Sequence, residues 1–287
     1  MAARLPLAGE VTPLPRSAER SVRRAGEAQT MDRVVVEEPL EIRLGGESIA
    51  VTMRTPGDDF DLAAGFLFTE TVLTSRGEIA SIAYARPEPD ARGTTTDRRN
   101  VVDVVPSASA NLSAEKAKRS FYAASSCGLC GKATIDAIHV RVPTIGRETD
   151  PTTFGIDLLR AMPDAMRAAQ STFDATGGLH AAAIFDATGA LVVVREDIGR
   201  HNATDKAIGH MLREGRVPCR GHALLVSGRA GFEIVQKAAV AQIPLVAAVS
   251  APSTLAIDLA DRLGVTLVAF LRPPRASVYT HGWRVVE

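Results

Sequence analysis

Apolar positions along this chain change their period between its two halves, and the change predicts two kinds of structure. Residues 34–36, 41–44 and 49–54 are short apolar or alternating runs, the last two joined by Gly45-Gly46, which predicts strands and a hairpin. Thr55-Pro56-Gly57-Asp58-Asp59 then breaks the sheet, and Leu62, Ala63, Phe66 and Leu67 recur at helical spacing. Asp58 and Asp59 precede that helix and are expected to cap it by meeting its unpaired N–H groups. With Asp61 they also form a candidate set of metal ligands, but a helix start is the simpler reading. Strands are expected again at 79–84 and 101–105, separated by a Pro- and Arg-rich loop.

Beyond residue 150 helical and strand patterns alternate, as in a layered α/β domain. An amphipathic helix over 157–170 leads through Thr176-Gly177-Gly178 to an apolar strand at 181–185, which Ala187-Thr188-Gly189 returns as an antiparallel strand at 191–195. Helices from Gly199 to near Gly215, over 233–241 and over 254–263 then interleave with strands at 223–227, 245–249 and 266–271. These later strands are expected to be parallel.

Composition narrows the function classes. At 287 residues with 46% apolar content the chain can bury one large core or two smaller ones. Its first thirty residues mix Pro6, Pro13 and Pro15 with Arg16, Arg20, Arg23 and Arg24, which reads as a tail without the apolar stretch of a secretory signal. The apolar run at 238–251 is interrupted by Gln242 and Pro244 and is too short for a membrane helix. A formal net charge of +0 supplies no basic field for nucleic acid, so any anionic ligand depends on local arginines. Three cysteines, an odd number, fit a reducing compartment better than a disulfide framework.

Two of those cysteines form the chain's most informative motif, Ser126-Cys127-Gly128-Leu129-Cys130-Gly131-Lys132. Flanking glycines let a bulky partner approach, and Lys132 favours the thiolate, the form that attacks. A four-cysteine zinc site is excluded, because Cys219 is the one other cysteine. A thioredoxin-like exchanger fits poorly, since residues 111–126 are polar and small instead of a buried strand. Persulfide carriage, with the second thiol releasing the sulfur by disulfide formation, suits the motif best. The bland alternative is a packed, inert pair.

Further polar residues gather where strands meet helices. Glu196-Asp197-Ile198-Gly199-Arg200-His201-Asn202 and Ser227-Gly228-Arg229-Ala230-Gly231 both occupy such turns, where phosphate is a natural ligand for Arg200, Arg229 and helix N–H groups. Ordinary turns with solvated arginines, and a hydrogen-bonding His201 instead of a general base, explain the same residues. At the end of the final strand, Phe270-Leu271-Arg272-Pro273-Pro274-Arg275 offers two arginines for a pyrophosphate, and Phe270 or Tyr279 a ring to stack on a purine or pterin. His281 follows closely.

Taken in order, these segments resemble one family, the formate dehydrogenase accessory sulfurtransferases, or FdhD family. The matching stretches are Thr55-Pro56-Gly57-Asp58-Asp59-Phe60-Asp61-Leu62-Ala63-Ala64-Gly65-Phe66-Leu67-Phe68-Thr69-Glu70, the cysteine motif, Glu196-Asp197-Ile198-Gly199-Arg200-His201-Asn202-Ala203-Thr204-Asp205-Lys206 and Ser227-Gly228-Arg229-Ala230-Gly231-Phe232-Glu233. Ser250-Ala251-Pro252-Ser253, Phe270-Leu271-Arg272 and Val278-Tyr279-Thr280-His281 add to them, so the resemblance runs from about residue 32 to the end.

The resemblance implies an α/β fold with an α+β N-terminal part, in which a cytidine-deaminase-like layered α/β domain stands beside a smaller β-rich N-terminal domain. Punctuation and resemblance together divide the chain into a disordered tail at 1–30, a β-rich domain at 31–110, the cysteine loop and connection at 111–150 and the α/β domain at 151–287. They imply a cytoplasmic homodimer that takes sulfur from a cysteine desulfurase. The sulfur passes to Mo-bis(molybdopterin guanine dinucleotide), a substrate and not a permanently bound cofactor, before formate dehydrogenase receives it. By that analogy Cys127 carries the persulfide and Cys130 assists its transfer. Phe270, Leu271, Arg272, Pro273, Pro274 and Arg275 touch the molybdenum cofactor, with Pro273-Pro274 stiffening a segment that is more flexible in the family. No resident metal, nucleic acid or membrane is expected. A zinc deaminase is disfavoured, because Ser126 replaces the proline before Cys127, and His180 is followed by Ala181-Ala182 without the proton-shuttling glutamate. The alternative from another class is a non-catalytic chaperone for the molybdenum cofactor.

Overall fold

The computed structural model describes residues 14–85, 99–110 and 142–287. Strands β1 (Ser17–Arg23), β2 (Gln29–Val35), β3 (Glu38–Leu44) and β4 (Glu47–Arg54) precede helix α1 (Asp59–Thr69), and β5 (Ile79–Tyr84) and β6 (Val101–Pro106) follow it. The second half contains β7 (Phe154–Gly155), α2 (Ile156–Ala168), α3 (Ser171–Thr176), β8 (His180–Asp186), β9 (Leu191–Asp197), α4 (Arg200–Arg213) and β10 (His222–Val226). It continues through α5 (Phe232–Val240), β11 (Leu245–Ala248), α6 (Thr254–Leu263), β12 (Thr266–Arg272), β13 (Arg275–Val278) and β14 (Val285–Val286). The expected mixed α/β architecture is present. No helix among the described residues is long and apolar enough to cross a membrane.

A six-stranded sheet in the order β13-β12-β11-β10-β8-β9 organises the second half. The β10–β11 and β11–β12 pairs are parallel, while β8 runs antiparallel to both β10 and β9. Four strands, β9 to β12, therefore finish at one edge of the sheet, where β8 begins. Strand alternation divides the side chains between two apolar layers. Ala181, Ala183, Phe185, Leu225 and Ala247 pack with Phe154, Leu159, Met162 and Met166 on the side covered by α2. Ala182, Ile184, Leu224, Val226, Val246 and Ala248 face α4, α5 and α6 on the other. Burial on both faces explains why these strands read as continuous apolar runs.

The four-stranded sheet β4-β3-β6-β5 is antiparallel except for β3–β6. Its Leu40, Ile42, Ile49, Val102 and Val104 join the same apolar layer as α4 and α5 through Leu62 and Leu67 of α1. Full burial of each such leucine is worth about 1.5–3 kcal/mol relative to exposure. Helices α1 and α4 meet backbone to backbone. A Cβ on Gly65 would lie 2.9 Å from Gly209 N, and one on Gly209 would lie 2.7 Å from Gly65 N.

Two expectations need correction. Ser17–Arg23, within the stretch read as tail, is a strand that pairs in register with Gln29–Val35. Arg16 secures its start by donating to Asp58 Oδ2 at 3.3 Å and to the Glu196 carbonyl at 3.2 Å. The expected capping of α1 by aspartates is also absent: Asp58 occupies the N-cap position at φ 56° and makes no side-chain cap bond. Arginines claim these carboxylates instead. Arg54 grips Asp59 with bonds of 3.0 and 2.9 Å, and Arg195 Nη2 and Arg213 both bind Asp61. Burial opposes the Asp61 carboxylate, but the His210 hydrogen bond and then those two arginines outweigh it and hold its pKa below the usual value.

Candidate functional site

The shared strand edge is a continuous rim. Phe270 N donates to the Ser250 carbonyl at 3.0 Å, Ser250 N to the Gly228 carbonyl at 3.4 Å, and Ser227 N to the Ala181 carbonyl at 2.9 Å. Ser227 Oγ in turn accepts from Ala181 N at 2.9 Å. Across β8–β9 His180 stands opposite Asp197. Gly228 brings the loop after β10 against the start of α4, since a Cβ there would lie 3.4 Å from His180 Nδ1 and 4.0 Å from Arg200 Cδ. His180, Arg200, His201, Ser227 and Gly228 thus converge from β8, α4 and the β10–α5 loop, where open α/β sheets bind ligands.

Buried charges beneath the rim fix it in place. Asp197 and Lys206 have fully buried side chains 2.8 Å apart. Asp197 also accepts from Thr55 N at 3.1 Å, Gly199 N at 2.8 Å and Asn202 Nδ2 at 3.0 Å, while Lys206 donates to the Thr55 carbonyl at 2.8 Å. These bonds satisfy both charges, as burial requires. Glu196 accepts from Thr172 N and Phe173 N at the start of α3. The Glu-Asp pair in the motif therefore supports the site from below and leaves the rim to Arg200 and the histidines.

A second buried pair joins three helices: Lys237 on α5 donates to Asp205 Oδ2 at 2.9 Å and to Thr69 Oγ1 at 2.9 Å. Burial opposes the Lys237 ammonium, but Asp205 and then Glu70 outweigh it and raise its pKa. One turn closer to the rim, His201 Nε2 lies 3.0 Å from Glu233 Oε2. Burial, followed by Lys237 and Arg200, presses the His201 pKa down to about 3, so the ring is neutral near pH 7. Burial and Arg200 likewise lower that of His180. Two neutral imidazoles can donate or accept hydrogen bonds, but neither is poised as a general acid at neutral pH.

The expected cofactor segment follows β12 onto the same rim. Phe270 is 43% exposed and has φ 52°, a left-handed conformation that bulges the strand between Ala269 and Arg272. Arg272, Pro273, Pro274 and Arg275 are exposed, and Arg272 Nε donates to the Val249 carbonyl at 3.2 Å. Leu271 differs from its neighbours. Its side chain is fully buried in the layer with Phe185 and Leu225. Tyr279 is also separated from Phe270: β13 runs back along β12, and Tyr279 N bonds to the Leu267 carbonyl. Beyond it, His281 Nε2 lies 2.8 Å from the Asp261 carbonyl.

Cys127 and Cys130 lie outside the described residues. Cys219 is buried, and burial pushes its thiol pKa up to about 12. Among the described residues no group of three or more His, Cys, Asp or Glu side chains is arranged to hold a metal ion. His180 was visible in sequence only as a failed deaminase motif, because its place at the rim depends on β8 starting where β9 to β12 end.

Comparison with known proteins gives this geometry a context. The chain is 50% identical over 254 residues to the protein named sulfur carrier protein FdhD of Mycolicibacterium paratuberculosis, covering 88% of this chain and 92% of that one. It is 51% identical over 257 residues to the protein of the same name from Streptomyces avermitilis, covering 88% and 89%. A solved structure, described as a candidate formate dehydrogenase accessory protein from Desulfotalea psychrophila, superposes with a TM-score of 0.68. It covers 95% of this chain and 100% of that one at 24% identity, a likeness of fold. The sequence model of the FdhD/NarQ family matches residues 35–286, and the chain belongs to that family.

Proposed function

We propose that this protein is a sulfur carrier that accepts a sulfur atom as a persulfide on Cys127 and delivers it to Mo-bis(molybdopterin guanine dinucleotide) for formate dehydrogenase. The observation that carries the proposal is the paired-thiol motif in a chain whose curated relatives, matched over most of their length, are named sulfur carrier proteins. In the loading step the Cys127 thiolate attacks the terminal sulfur of a cysteine desulfurase persulfide, and the desulfurase leaves as its thiolate. In delivery the Cys130 thiolate attacks Cys127 Sγ. A Cys127–Cys130 disulfide forms and the outer sulfur departs at the sulfide level to the molybdenum centre. A dithiol reductant then restores both thiols. The exposed Phe270, Arg272, Pro273, Pro274 and Arg275 contact the cofactor substrate at the rim, while Leu271 supports them from the core. The protein works as a homodimer in the cytoplasm.

Incubation with a cysteine desulfurase and cysteine should add the mass of one sulfur atom, removable by reductant and lost in Cys127→Ala. Arg272→Ala and Arg275→Ala should each weaken binding of a guanine nucleotide, because each removes a charge-assisted contact. If Cys127→Ala still restores formate dehydrogenase activity in a strain lacking this protein, sulfur carriage is wrong and a non-catalytic cofactor chaperone takes its place.

A further inference from the structure

We draw no further inference here: the strongest candidate, the open groove of about 470 Å³ that Ile156, Arg160, Val278, Val285 and Val286 line between the start of α2, strand β13 and strand β14, carries nothing because nothing in the structure shows what covers it.

Discussion

Replacing Gly65 with alanine tests the contact that joins the two halves of the molecule. Intrinsic helix propensity favours the substitution by about 1 kcal/mol, because Gly65 lies inside α1. Sterics oppose it. The new Cβ would sit 2.7 Å from the Asp205 carbonyl carbon and 2.9 Å from Gly209 N, both backbone atoms of α4. Ordinary carbon contacts lie at about 3.5–4.0 Å, so the helices must separate by about 1 Å. Overpacking of this kind costs about 1–3 kcal/mol. The separation also stretches the Thr69 and Lys237 bonds to Asp205, at 2.7 and 2.9 Å, where a lost charge-assisted bond costs about 1.5–3 kcal/mol. The net expectation is a loss of about 2–4 kcal/mol after the propensity gain. Urea unfolding followed by far-UV circular dichroism and by Trp283 fluorescence measures it, Trp283 being held between Arg147 and Arg284. Gly146→Ala, where a Cβ meets nothing within 4 Å, should change stability by less than about 0.5 kcal/mol. A Gly65→Ala protein within about 1 kcal/mol of wild type would refute the claim that the backbone approach requires glycine.

Stability should fall with acid in a defined window. The folded-state pKa of His201 is about 3, below its unfolded value of 6.5, and His180 shifts the same way. The unfolded chain therefore takes up protons first as pH drops through 6.5, and each neutral histidine costs up to about 1.4 kcal/mol per pH unit lost. The depressed Asp61 adds its own loss only below about 3.8, and Asp205, raised by burial, acts with the opposite sign, so the contribution of His201 is read as the difference between wild type and a His201 variant between about pH 6.5 and 4.5. His201→Gln should flatten that slope, and an unchanged slope would argue against a neutral His201. Lys206→Met should destabilise by about 3–5 kcal/mol by stranding the Asp197 carboxylate. The double variant Lys206→Met with Asp197→Asn should recover part of that loss, and equal losses in the single and double variants would disprove the pairing.

Sequence legibility follows the range of the interactions. Helix α6 was read at the residues where it starts and stops because its signals are local: Ser253 caps it and Gly264 ends it at φ 75°. The β8–β9 hairpin was legible for the same reason. The fate of Asp58, Asp59 and Asp61 was misread because Arg195 and Arg213, which claim Asp61, lie far along the chain and any rule of helix starts ignores them. Strand β1 was missed because it is short and polar, so its partner at Gln29–Val35 supplies the order that its composition does not. Leu271 sits within the ligand motif, yet its side chain is buried with Val268 while Phe270 and Arg272 are exposed, a placement set by the bulge at Phe270 and not by local alternation. The rim itself was invisible, since Phe270, Ser250, Gly228 and His180 become neighbours only through the order of strands in the sheet.

The interment of Cys219 turns the chain into its own control for thiol chemistry. A sulfur whose proton is held until about pH 12 stays mute toward iodoacetamide and toward donor persulfides in neutral solution. Any label or added mass on the native protein then reports the Cys127-Gly128-Leu129-Cys130 pair, and unmasking of a third reactive group becomes a direct signal that the domain has come apart.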